Sequence, residues 1–180
     1  MKKTILVTAL VFVMSFSAKA QLAQIGVKAG LNYANFSGTD IQTDAITSYH
    51  AGLIAEIKLL DKFAIQPELL YTTQGATYNT ALGDFKNELG YIAIPVLAKI
   101  YLSKSFSLEL GPQASFLLSE KNNFDVADPN TFEFAVDAGL NLKITKNIFL
   151  QGRYVLGLTE VSPNADAKNS VFQVSAGLMF

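Results

Sequence analysis

The 180-residue chain has no cysteine and no tryptophan, and only one histidine and five prolines. Without cysteine there can be no disulfide, no lipidated N-terminal cysteine and no thiolate metal ligand. With His50 alone, a histidine-based metal set is excluded as well. The glycines form no phosphate-binding pattern between a strand and a helix. Beyond the first twenty residues, no apolar run approaches the roughly 20 residues that cross a bilayer as a helix. An excess of positive charge is also missing. Taking Lys2, Lys3 and Lys19 from the 14 basic residues leaves 11 against 15 acidic, which argues against nucleic acid as a partner.

The N-terminus does carry a pattern. Met1-Lys2-Lys3 precedes an apolar run from Ile5 to Phe16, and Ala18-Lys19-Ala20 follows. A basic start, a run too short to span a membrane and an A-x-A site predict a secretory signal peptide over residues 1–20. Residues 21–180 are then a single exported domain, since about 160 residues leave little room for two.

Within that domain the apolar residues recur every second position, which is strand periodicity. Eight segments are predicted: Gln24–Tyr33, Tyr49–Leu59, Phe63–Thr73, Glu88–Leu102, Phe106–Leu118, Thr131–Ile144, Ile148–Thr159 and Ser170–Phe180. Short turns at 60–62, 103–105 and 145–147 alternate with longer polar stretches at 36–48, 74–87, 119–130 and 160–169, read as loops. In an up-and-down barrel this alternation gathers every long loop at one end and every tight turn at the other. Pro67, within the third segment, lacks an amide donor, and a bulge is expected to absorb it.

Charge is confined to one side of this pattern. Lys28, Glu56, Lys58, Glu68, Lys99, Glu109, Glu133, Asp137, Lys143 and Arg153 all fall on one face, and the other face has none. If the apolar face lined an eight-stranded lumen, its Phe, Leu, Ile and Tyr side chains would overpack a space only wide enough for side chains or one small ligand. The apolar face is therefore expected to meet lipid, giving an all-β, eight-stranded antiparallel transmembrane barrel. Five basic and five acidic residues in a narrow interior predict a neutralised charge network, because unpaired charges there would be costly. Leu70, Leu97, Leu117, Phe149 and Met179 on the same face support a packed interior. Aromatic girdles are expected at the two ends, from Phe63, Tyr101, Phe106 and Phe180 on the tight-turn side and Tyr33, Tyr71 and Phe132 on the other.

The last strand, with Phe172, Val174, Ala176, Leu178 and terminal Phe180 on one apolar face, resembles the signal by which bacterial outer-membrane barrels are recognised by their assembly machinery. Gly26-Val27-Lys28-Ala29-Gly30-Leu31-Asn32, Tyr91 to Lys99, and Leu110-Gly111-Pro112-Gln113-Ala114 look like the outer-membrane barrel domains abundant in Bacteroidetes, often called PorT-like or porin-family proteins. That resemblance implies location in the outer membrane, with lipid and the assembly machinery as partners. It implies a fold far more than an activity.

No catalytic, cofactor or metal site is expected. His50 has no nucleophile or carboxylate partner at a telling spacing. Asp125, Asp128 and Asn130 read as a solvated acidic loop in preference to a calcium site. The expected role is structural or interactive, through four loops that reach envelope or surface partners. Passive transport of small solutes is the alternative reading. A lipid- or peptide-modifying membrane enzyme is the third.

Overall fold

The computed structural model describes residues 23–37, 43–80, 83–122, 131–162 and 165–180. The expected signal peptide and residues 125–130 lie outside these. Eight strands follow in order: β1 Ala23–Ser37, β2 Thr43–Leu60, β3 Phe63–Thr80, β4 Gly83–Tyr101, β5 Phe106–Asn122, β6 Phe132–Lys143, β7 Ile148–Ser162 and β8 Ala165–Met179. Each pairs antiparallel with its neighbour in sequence, and β1 pairs with β8 from Gly26↔Met179 to Ser37↔Lys168, which closes the ring. Closure matters because an open sheet would leave a row of unpaired backbone groups at each edge.

The alternation in the sequence sets which face points where. On β1, Ile25, Val27, Leu31 and Tyr33 are exposed on the outer wall, while Lys28 and Asn32 are buried in the lumen. On β8, Phe172, Val174, Leu178 and Phe180 face outward, between buried Val171, Gln173, Ser175 and Met179. A continuous coat of Ile, Leu, Val and Phe of this size is a liability in water and the requirement in hydrocarbon.

The structure corrects the reading of the long loops. Most of 74–87 is strand, with β3 and β4 paired from Gln74↔Leu89 to Thr80↔Gly83. Two residues separate these strands, and two separate β7 from β8. The two ends of the barrel differ because strands overshoot at one of them, more than because loops are long there. That end is called here the long-strand end, and the other the turn end.

Pro67 is also handled differently from the expectation. The β2–β3 ladder skips from Ile54↔Glu68 to Ile57↔Ile65 and resumes in the same register, so two pairs are lost and no bulge forms there. The same two-pair gap recurs across β3–β4 beside Pro95 and across β4–β5 beside Pro112. Each proline removes one amide donor and its ladder bond, and the flanking pairs hold the strand in place.

Candidate functional site: the barrel lumen

Opposite strands in an eight-membered ring are four apart, so contacts between β3 and β7, or β2 and β6, span the whole lumen. Two ion pairs do this. Arg153 on β7 reaches Glu68 on β3 through two parallel bonds, Nη1 to Oε2 at 2.9 Å and Nη2 to Oε1 at 2.6 Å. Lys143 on β6 lies 3.5 Å from Glu56 on β2. The Arg153 fork suits a carboxylate because its geometry is planar and fixed.

Around Arg153 the network widens. Its guanidinium also lies 3.3 Å from Asp137 and 3.6 Å from Glu109. Lys28 adds a second cation to Glu68 at 2.8 Å and donates to Gln151 Oε1 at 2.8 Å, while Gln151 Nε2 donates to Glu109 at 2.5 Å. Nearer the turn end, Lys99 bridges Glu56 at 3.0 Å and Glu109 at 3.3 Å, and donates to Gln66 at 2.9 Å. Gln66 in turn donates to Glu68 at 2.7 Å. Glu109, which meets both Arg153 and Lys99, joins the ion pairs into one body, and the two glutamines add hydrogen bonds across it.

Two of the ten charged residues stand apart. Glu133 is buried, and Asn169 Nδ2 donates to it at 2.5 Å. Among residues whose side chains are described, no basic group lies within ion-pair distance of it. Lys58 is exposed at the turn-end mouth, with its ammonium 5.2 Å from the centre of the Tyr101 ring. It is a rim residue, since its strand reaches water there.

Tyr101 is the other correction. It was expected in the aromatic girdle, but its parity on β4 matches Leu97 and Lys99, and it points inward at 8% exposure. Its hydroxyl donates to Glu56, and Lys143 approaches the same oxygen at 3.3 Å. Gln66, Gln151 and Tyr101 carried a usable signal, since each shares the parity of the charged residue on its strand, and Asn169 shares that of Gln173 and Ser175 on β8.

On β1, β2 and β8 the lumen carries an uncharged layer toward the long-strand end. His50 Nδ1 lies 2.6 Å from Asn32 Oδ1, and His50 Nε2 lies 2.7 Å from Ser175 Oγ. An amide oxygen can only accept, so Nδ1 carries the proton and Nε2 accepts from Ser175. Asn32 is fixed by donating to Thr72 Oγ1 at 2.9 Å and to the Thr73 carbonyl at 2.7 Å. The order amide–imidazole–hydroxyl matches that of a nucleophile with its base and orienter. Ser175, however, is 2% exposed, so a substrate cannot reach its hydroxyl. Above this layer Ala34, Ile46, Ala135, Val155 and Val171 form a buried apolar cluster, and nearer the turn end Ile54, Phe149 and Met179 form another.

A closed antiparallel ring with an apolar coat and ions inside defines a transmembrane β-barrel. Residues 18–162 match the family described as the outer membrane protein beta-barrel domain, and the chain belongs to that family. Its place is the outer membrane. Comparison with curated proteins finds no match. Among solved structures, Neisserial surface protein A is similar at 14% identity and a TM-score of 0.60, covering 88% of this chain and 99% of that one. Ail, the attachment invasion locus protein of Yersinia pestis, is similar at 12% identity and a TM-score of 0.58, with the same coverage. OprG of Pseudomonas aeruginosa gives 12% identity and 0.54, covering 88% and 96%. At these identities the likeness is one of fold.

Proposed function

We propose that this protein is a sealed, non-conducting barrel whose work is structural or interactive and is done at its two water-exposed ends. The observation that carries this reading is the fork between Arg153 and Glu68, a buried pair drawn across the full diameter of the lumen. An aqueous channel would need that pair apart, and separating it would leave two charges without partners. In a planar bilayer the purified protein should give no steady conductance steps. Reproducible porin-sized steps would replace this reading with passive transport of small solutes.

An enzymatic role is disfavoured by the burial of Ser175. His50 and Asn32 are better explained as a neutral layer that locks β1, β2 and β8 together. Kinship with the PorT-like barrels of Bacteroidetes is supported by the strand patterns in β1, β4 and β5. With the turn end toward the periplasm, the overshooting strands stand outside the cell.

The strand ends on that side carry Asp44, Asp84, Glu88, Glu120, Glu160 and Asp166 against Lys86, Lys121 and Lys168. Ail has been crystallised with the heparin analogue sucrose octasulfate. The acidic balance here does not suit a polysulfate at this end, and surface partners of basic or neutral character fit better.

Residues 1–20 serve as the export signal, and Phe172, Val174, Ala176, Leu178 and Phe180 serve as the recognition strand for assembly. Replacing Phe180 with Ser should lower the folded, membrane-inserted fraction in cells several-fold, while refolding of the purified chain into detergent changes little. Equal losses in both assays would mean that Phe180 acts through stability alone.

A further inference from the structure

At the turn end each of the three tight turns presents one lysine: Lys62, Lys104 and Lys146. The strand ends add Lys58 and Lys143, and Asp61 is the one acidic residue in these turns. Among residues whose side chains are described, no carboxylate lies within ion-pair distance of Lys58, Lys62, Lys104 or Lys146. Lys143 lies near Glu56, but that carboxylate already holds Lys99 and accepts from Tyr101. The ammonium groups of Lys58, Lys143 and Lys99 surround the ring of Tyr101 at 5.2, 5.1 and 5.8 Å. So dense a positive rim, with so little negative charge beside it, attracts anions.

The rim is concave. One cavity of about 480 Å³ is lined by Lys58, Lys62, Tyr101, Lys104 and Lys143, with Asp61 the one carboxylate on its wall. A second, of about 420 Å³, shares Lys58, Lys104 and Lys143 and adds Lys146. We infer that the turn-end mouth is a docking site for an acidic peptide segment of a water-soluble partner, seated over Tyr101 and held by these lysines.

Three features select that occupant. Lys58 and Lys143 stand on the lumen side of β2 and β6, so the cluster converges on the barrel axis, a wall away from the lipid headgroups. The two cavities adjoin and exceed what a single carboxylate fills, which calls for a chain bearing several. The only arginine of the domain, Arg153, is deep in the lumen, so the rim offers point charges without a fork. It therefore reads charge density more than the shape of one group.

The test uses the full barrel in nanodiscs of phosphatidylcholine alone, titrated with fluorescein-labelled octaglutamate. Saturable binding is expected at 50 mM NaCl, weakening at least tenfold at 300 mM because exposed charges are screened. Lys58→Gln with Lys104→Gln and Lys143→Gln should weaken it tenfold or more. Lys86→Gln with Lys121→Gln and Lys168→Gln removes the same charge from the other end and should leave it within twofold. Should the rim triple variant fail to fold by gel mobility, Lys58→Gln alone, at an exposed residue with no ion pair, should still weaken binding about threefold.

Absence of saturable binding would overturn the inference, as would equal losses in both triple variants. A further arm places the protein in mixed phosphatidylcholine and phosphatidylglycerol nanodiscs, read by native mass spectrometry. Retention of phosphatidylglycerol that depends on the rim lysines and displaces octaglutamate would make this a headgroup site and overturn the peptide assignment.

Discussion

Replacing Arg153 with alanine is expected to destabilise the barrel by about 3–5 kcal/mol, the range for stripping one partner from a buried ion pair. The change leaves Glu68 with Lys28 alone, Glu109 with Lys99, and Asp137 with no cation within ion-pair distance among described side chains. Urea unfolding in lipid vesicles, followed by far-ultraviolet circular dichroism, measures it. Arg153→Lys should fall between, since it keeps the charge and loses the fork. Arg153→Met combined with Glu68→Met should be no milder than Arg153→Ala, because Asp137 still lacks a cation and Lys28 loses the carboxylate it pairs with. A loss under about 1 kcal/mol for Arg153→Ala would show that water already screens the pair, and the sealed lumen would go with it.

The network behind that prediction was largely visible in the sequence, and the reason is geometric. A strand has a period of two, so once Leu178 and Phe180 are turned to lipid, Met179 and Gly177 must turn inward, and closure repeats the rule through eight strands. Which charge meets which could not be read. Arg153 and Glu68 are 85 residues apart, and their meeting depends on ring closure and on the register of every ladder between them.

The strand ends at the long-strand side were illegible for a different reason. From Gln74 to Asn87 the apolar alternation lapses, and Gly, Asn and Thr suggest a loop. The backbone nevertheless keeps pairing, because β3 and β4 are joined by two residues and their ladder bonds cost little to extend. Tyr101 was misplaced by its residue type, since an aromatic at a strand end suggests an interface, although its parity said lumen.

Glycine substitutions should give the second large effect, graded by what a new methyl group would strike. A Cβ at Gly30 would stand 2.1 Å from the Val174 carbonyl oxygen and 2.7 Å from the Ser175 Cα. Both are backbone atoms of β8, so the β1–β8 seam itself would have to part. Gly30→Ala should cost about 3 kcal/mol, at the upper end for overpacking, and should lower folding yield. At Gly177 the nearest atoms are Cζ and Cε1 of Phe149, at 2.2 and 2.4 Å, with the Val27 carbonyl at 2.7 Å. A ring can move where a backbone cannot, so Gly177→Ala should be milder and should respond to its neighbour. In combination with Phe149→Leu it should be more stable than the sum of the two single changes by about 1 kcal/mol, within the range for residues in contact. Gly152 on the outer wall has nothing within 4 Å of such a Cβ, so Gly152→Ala should be nearly silent in the same urea assay. If the three alanines proved equally harmful, the damage would come from strand flexibility common to all glycines. If Gly30→Ala proved silent, the lumen would have slack, and neither the tight seam nor the packed interior could be as drawn.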